Sequence, residues 1–291
     1  MHIDLQIHST YSDGYLTPTQ LAELLFKNNV KVASLTDHNT VAGLDEFKLA
    51  CKKYKIKSIN GIELYVKYEN KFFNIIWYNF KDSSPEIHKL LRDTQIRRKN
   101  KLRKILLNLT ADGFNIPIDK IIDKYNHYIP INHVIDDITV IPANKNKILK
   151  ELGKLIREED IIHAYFNKKF GSLTNSYINL ERVINLKRKI GGQLVLNHPG
   201  KYYMPDKTLF IKLKNLGIEG IEVLSPHHSI GAVLFCQYIA RELNFIETGG
   251  SDFHRHEGNR QLIQNSWQYY KIQTKLLKGI EKIIGKLSHY A

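Results

Sequence analysis

Apolar and polar residues alternate along HIDLQIH, residues 2 to 8, the two-residue period of a strand that rests one face on a core. The next stretch, TPTQLAELLFKNN, changes to helical spacing. Thr17 followed by Pro18 predicts an N-cap with proline in the first helical position. The same rhythm returns in KVASLT and the helix TVAGLDEFKLACKKYK, then in KIKSINGIELYV and the strand-like KFFNIIWYNF. Towards the other end it resumes with QLVLNH, a helix around TLFIKLKNLG, GIEGIEVL, the helix IGAVLFCQYIARELN, and FIETGGSD. Strands alternating with helices of this length predict parallel pairing through right-handed crossovers, and hence an α/β fold. Between about residues 85 and 190 the pattern is mostly helical, which reads as an insertion in one domain covering residues 1–291. The segment YKIQTKLLKGIEKIIGKL reads as an amphipathic, basic helix packed on that domain.

Composition narrows the setting. With 291 residues, 43% of them hydrophobic, the chain can bury a sizeable core. The first twenty residues contain Asp4 and lack the basic start and continuous apolar core of a signal peptide, and no run approaches a membrane span. Only Cys51 and Cys236 are present, so neither a disulfide framework nor a thiolate metal site is expected, and the expected compartment is the reducing cytoplasm, away from membranes. A net charge of +14 favours anionic partners, phosphate esters or nucleic acid. The densest basic run, IRRKNKLRK, lies on a predicted helix whose apolar stripe is Leu90, Leu91, Ile96, Leu102, Ile105, Leu106 and Leu109. Two readings stand for it: a solvated helix face, or a guide for a nucleic acid strand around Arg97, Arg98 and Lys101.

The candidate chemistry lies where strands end. Gln6-Ile7-His8, Thr36-Asp37-His38, Gly61-Ile62-Glu63, Asn197-His198-Pro199 and Ser251-Asp252-Phe253-His254 each follow or close a predicted strand. In barrels and open parallel sheets those ends share one rim, where sites are built. Packing so many ionisable groups together without a counter-charge costs several kcal/mol per group, and a metal cluster supplies the charge. Imidazole nitrogen and carboxylate oxygen without thiolate suit Zn, Mn or Fe, and a carboxylate such as Glu63 can bridge two ions. The paired glycines of GGSDFH, Gly249 and Gly250, are expected to let the backbone turn tightly at this rim.

At these residues the chain resembles the PHP (polymerase and histidinol phosphatase) family of metal-dependent phosphoesterases. DLQIHSTYSDGYLTP is similar to the family's opening DLHxHSxxSDG, SLTDHNTVAGL to its second motif and NGIE to its third. GGQLVLNHPGKY, GIEGIEVLSPHHS and ETGGSDFH match the later motifs, and EEDIIHAYFNKKFG resembles part of the insertion of the subgroup acting on nucleoside bisphosphates and short oligonucleotides.

The resemblance implies a distorted seven-stranded β/α barrel with up to three divalent metals at its C-terminal rim. It assigns Gln6, His8, Glu63 and Asp252 to the first metal, Glu63, Asn74 and His198 to the second, and Asp13, His38 and His254 to the third. Gln6 and Asn74 stand where the family has histidine. An amide oxygen is a poorer donor than imidazole for zinc, so fewer ions, or a harder ion, are expected at the first two sites. Lys201 and Arg255 are expected to hold a phosphate, with exposed surface charge as the alternative, and His133 and His254 to complete the catalytic set, with a structural cap as the alternative for His133. Asp37, His227 and His228 are expected only to support their neighbours. The implied activity is hydrolysis of a phosphomonoester or phosphodiester of a nucleotide or short oligonucleotide. The rival is a catalytically impaired member that binds a phosphorylated ligand or RNA.

Overall fold

The computed structural model describes residues 1–153, 158–169, 173–201, 206–255 and 271–285. His256, the end of EEDIIHAYFNKKFG and the end of the C-terminal segment lie outside the described residues. The chain divides into two compact units, residues 1–87 with 178–291, and residues 88–177.

The first unit is built on strands β1 (His2–Ile7), β2 (Val30–Leu35), β3 (Lys57–Tyr68) and β4 (Lys71–Tyr78), then β5 (Ile178–Asn179), β6 (Gln193–Leu196), β7 (Gly220–Leu224), β8 (Ile246–Gly249) and β9 (Ile272–Gln273). Helices α1 (Pro18–Lys27) and α2 (Leu44–Lys53) connect the early strands. Thr17 caps α1 in a reciprocal capping box with Gln20, and Pro18 stands at its start, as the sequence predicts.

The sheet order is β8-β7-β6-β4-β3-β2-β1-β9, with the two-residue β5 alongside β3. Among the described residues, seven strands of four or more residues thus make a distorted barrel, with the two short strands added. One departure from all-parallel pairing matters for the site. β3 and β4 form an antiparallel hairpin, and β4 is also antiparallel to β6. β3 therefore continues past Glu63, which is an interior residue of the strand and not its end. β4 runs the other way, so its first half, with Asn74, pairs beside the same part of β3.

Closure depends on the backbone after β8. Asp252 N–H donates to the Gln6 carbonyl at 2.9 Å, and His8 N–H to that of Phe253 at 2.9 Å. Here Gly250 serves close approach, not the expected turn. Neither Gly249 nor Gly250 has a positive φ, but a Cβ on Gly250 would lie 2.5 Å from the Gln6 nitrogen. The Asp4 carboxylate locks the seam, accepting from Ser251 N–H at 2.9 Å and Ser251 Oγ–H at 2.7 Å. Burial pushes the Asp4 carboxyl up to about 7, against the pull of the Ser251 hydrogen bonds. The folded state therefore holds a proton that the unfolded state releases near pH 4, so this group's contribution to stability is present below that pH and is lost as the pH rises to about 7. The variant Asp4→Asn is expected to lose this part of the dependence. Denaturant melts of both proteins at pH 4 and pH 7 should show wild type declining relative to the variant by a few kcal/mol on an order-of-magnitude basis.

The core of this unit joins Ile3, Leu5, Val32, Ile59, Ile76 and Val195 of the strands to Ile272, Leu277, Ile280, Ile283 and Ile284. The C-terminal segment thus packs on the unit, but not as the expected continuous helix. It forms β9 antiparallel to β1, a short 3-10 turn (Thr274–Leu276) and a helix of one turn. Gly279 and Gly285, both at positive φ, interrupt it. Helices α8 (Leu180–Ile190), α9 (Lys207–Leu216) and α10 (Ile230–Glu242) complete the unit between β5 and β8.

The second unit carries most of α3 (Pro85–Ala111), with α4 (Ile118–Lys124), α5 (Ile131–Thr139), α6 (Pro142–Leu152), a short α7 (Glu158–Ile161) and a π-helical turn (Ile162–Lys169). Leu102, Ile105, Leu106 and Leu109 of α3 enter its own core, with Ile129, Val134 and Ile148. Ile96, assigned to the apolar stripe from sequence, is 52% exposed. Arg98 does the reverse: it is buried, donates from Nε to the Ile129 carbonyl at 2.8 Å and lies 4.5 Å over the Tyr128 ring. It belongs to the packing of this unit; of the other cations of the run Arg103 and Lys104 are exposed, and Arg97, Lys99 and Lys101 are half-buried. Among the described residues no helix is long and apolar enough to cross a membrane.

Candidate metal centre

The loop from β1 to α1 delivers the first two donors. Ser9 and Ser12 turn inwards to Asp37, which accepts from Ser9 N–H at 2.7 Å, Ser9 Oγ–H at 2.6 Å and Ser12 Oγ–H at 2.6 Å. These bonds shape the backbone between His8 and Asp13, and Asp37 acts through them, as the sequence reading expected. Three non-glycine residues around the donors, Asn39 (φ 49°), His198 (φ 23°) and Asp252 (φ 50°), sit in the left-handed region. Each such residue costs on the order of 1 kcal/mol or more, a burden that folds tolerate where side chains must be aimed.

Asp13 lies among three imidazoles. His8 Nδ1 is 3.5 Å from Oδ1, His254 Nε2 is 3.3 Å from Oδ1 and His38 Nε2 is 3.4 Å from Oδ2. Four donors held about 2.0–2.1 Å from a tetrahedral ion stand about 3.3–3.4 Å apart. His8, Asp13, His38 and His254 therefore fit one divalent cation, with their donor atoms all within 4.8 Å of one another. The tautomer of His254 suits the task as well. Its Nδ1 lies 2.7 Å from the Asp252 carbonyl, which can only accept, so Nδ1 carries a proton and Nε2 is the nitrogen that faces Asp13 and would give its lone pair to an ion. Burial pushes His38 down to about 4, leaving a neutral imidazole stacked on Tyr65 with ring centres 4.4 Å apart. Burial alone would raise the Asp13 carboxyl, but His254 and His8, which face it, outweigh burial and hold Asp13 ionised; the neutral His38 adds its ring dipole rather than a charge.

A second group surrounds Glu63. His8 Nε2 stands 3.1 Å from Glu63 Oε2 and 3.1 Å from Asp252 Oδ1, midway between two carboxylates. Burial would raise both carboxyls. His38, His198 and His8 hold Glu63 well below the usual range, and Lys201, His254, His227 and His8 do so for Asp252. His198 Nε2 reaches the other Glu63 oxygen at 3.3 Å. His8, Glu63 and Asp252 also have the donor chemistry and spacing for a cation.

Amides occupy much of this second group. Gln6 Nε2 donates to Asp252 Oδ1 at 2.9 Å and to Glu63 Oε2 at 3.3 Å. Asn74 Nδ2 and Asn197 Nδ2 each donate to Glu63 Oε1 at 2.6 Å. Asn197 was not singled out from the sequence. Its signal is faint: a polar residue beside His198 at the end of an apolar strand is what any loop offers.

Of the other expected residues, Lys201 Nζ is 3.6 Å from Asp252 Oδ2. Arg255 donates to Tyr15 Oη at 3.2 Å and stacks 5.2 Å over its ring, while Tyr15 N–H holds the His254 carbonyl at 2.8 Å. Both cations are thus placed next to donors. His227 does more than expected: its Nε2–H donates directly to Asp252 Oδ2 at 2.6 Å. His228 donates from Nδ1 to the Val223 carbonyl and accepts Gly200 N–H on Nε2 at 3.1 Å, steadying the turn after His198. His133 belongs to the second unit, on α5, with its ring 6.4 Å from that of Tyr125. All the other expected residues belong to the first.

The model of the family described as PHP domain matches residues 4–167. A 5'-3' exoribonuclease of Haemophilus influenzae is 28% identical over 255 residues, 86% of this chain and 89% of that protein. A 3',5'-nucleoside bisphosphate phosphatase of Chromobacterium violaceum is 26% identical over 266 residues, 90% of each. Among solved structures, an amidohydrolase from Chromobacterium violaceum with bound sulfate and no metal superposes with a TM-score of 0.73 at 23% identity, covering 93% of this chain and 96% of that one.

Proposed function

Since the chain belongs to the PHP domain family, we propose that it is a metal-dependent phosphoesterase that hydrolyses a phosphomonoester or phosphodiester of a nucleotide or short oligonucleotide. The observation that carries this reading is the spacing of His8, His38 and His254 around Asp13, with Lys201 beside Asp252 and Arg255 on Tyr15, whose N–H holds the His254 carbonyl. The names of the two relatives, an exoribonuclease and a nucleoside bisphosphate phosphatase, support the substrate class, as does the net charge of +14.

In this reaction water adds to phosphorus, the bond from phosphorus to the leaving oxygen breaks, and that oxygen takes up a proton. His8, Asp13, His38 and His254 would hold a divalent ion, which when bound would supply Lewis acidity towards the phosphate oxygens. Lys201 and Arg255 bind the remaining phosphate charge and orient the ester, and Tyr15 keeps the Arg255 guanidinium from swinging out. Asp252 receives hydrogen bonds from Gln6 and His227 and so keeps one orientation on the rim. A rim imidazole delivers the proton to the leaving oxygen.

The test is turnover of a nucleoside 3',5'-bisphosphate and of a short 5'-phosphorylated RNA in the presence of Mn2+, with chelator as control. Release of phosphate or of mononucleotide supports the proposal. Tight binding of both without turnover would favour the phosphate-binding rival. Replacing Lys201 or Arg255 by alanine is expected to raise KM and lower kcat/KM by about 10–100-fold, since each removes a charge-assisted contact.

A further inference from the structure

We infer that this chain holds a single metal ion, bound by His8, Asp13, His38 and His254, and that the amides of Gln6, Asn74 and Asn197 hold Glu63 and Asp252 where other ions would otherwise be needed. The inference rests on the metal-dependent reading above and narrows it.

His8 decides the count. It belongs to both candidate groups, with Nδ1 towards Asp13 and Nε2 towards Glu63 and Asp252. A neutral imidazole has one lone pair and one N–H, so it can give an electron pair to one side only. On the Asp13 side the carboxylate is met by three imidazoles and by Ser12 Oγ–H at 3.2 Å. On the other side, the two carboxylates already receive the Gln6 amide, and Glu63 also receives those of Asn74 and Asn197. An Nε2–H of His8 stands 3.1 Å from each of them, while its Nδ1 lone pair completes, with His38, His254 and the Asp13 carboxylate, a set of three imidazoles and one carboxylate. That set suits a tetrahedral ion.

The amide orientations follow from the same balance. Turning Gln6, Asn74 or Asn197 over would set an amide oxygen against an ionised carboxylate in a buried place, an arrangement that only a cation there would relieve. Charge-assisted N–H bonds to a buried carboxylate do without one. The family's histidine at position 6 or 74 would instead call for the ion. Three amides around one carboxylate are thus a replacement for metal, distributed over β1, β4 and the turn after β6.

The test reads metal, not turnover. Protein incubated with excess Mn2+ and freed of unbound ion should carry one equivalent by elemental analysis. Glu63→Gln should keep that equivalent while lowering Tm, because an amide then faces amide donors; Asp13→Asn should lose it. Two or more equivalents in wild type, no bound ion, or loss of the ion from folded Glu63→Gln would overturn the inference. If Glu63→Gln does not fold, anomalous scattering from manganese-soaked wild-type crystals replaces it. One peak beside Asp13 supports the inference, and a peak between Glu63 and Asp252 overturns it. A protein with one equivalent and no phosphoesterase activity would leave this inference standing and overturn the functional reading instead.

Discussion

Asp13→Asn is expected to lower phosphoester turnover by about 10^3-fold or more, equivalent to ~4 kcal/mol of transition-state free energy, and to remove the bound metal with it. Asparagine keeps the volume of the side chain, so the loop between His8 and Gly14, held by Asp37 and its two serines, has no reason to rearrange. What disappears is the one carboxylate faced by His8, His38 and His254. Without it the three imidazoles lose the one carboxylate that all of them share, and an ion there would have only neutral ligands. The raised affinity of His254 for its proton, which burial opposes and Asp13 supplies, falls back as well. Rates and metal content measured on the same preparation, with circular dichroism to establish the fold, check the expectation. Turnover within tenfold of wild type would show that Asp13 does not hold the working ion.

The sequence is informative where periodicity and turn chemistry act locally. The alternation of β1, the Thr17 cap and the strand-end histidines are properties of short segments, and each survived in three dimensions. It is less informative where long-range pairing decides. The antiparallel pairing of β3 and β4 is the exception, since only Glu69 and Asn70 separate them and so short a connection permits no parallel crossover; that hairpin sets Asn74 against Glu63. Gly250 shows the limit: its constraint is the backbone of Gln6, remote in sequence, and not a local turn. The C-terminal segment was misread because amphipathic spacing over a few residues does not distinguish a helix from a strand and a turn when glycines intervene. Asn197 and His227 became visible only through their partners, since an Asn or His in a loop carries no signal until the carboxylate it serves is known. Arg98 stands for the opposite error, a cation counted towards the surface charge that packing takes inside.

Restoring the family pattern with Gln6→His and Asn74→His is expected to change metal dependence more than any other pair of substitutions. In wild type, Glu63 receives amide hydrogen bonds from both residues, so its charge is met whether or not metal is present. Two imidazoles in their place offer lone pairs to an ion but fewer N–H donors to the carboxylates, and Asn197 alone cannot compensate for two lost amides. The metal-free variant should therefore be less stable than metal-free wild type. Binding then supplies the difference: an ion present at about 100 times its Kd stabilises the folded state by about 2.7 kcal/mol, and more than one such site adds to this. Elemental analysis should show metal content rising above that of wild type, and Tm should fall further on chelation than it does in wild type. Phosphoesterase rate should rise too, because further positive charge near Glu63 and His198 stabilises the charge developing on the transferred phosphate. If metal content, the response of Tm to chelator and the rate all stay at wild-type values, positions 6 and 74 do not control occupancy, and the contrast drawn between amide and imidazole fails.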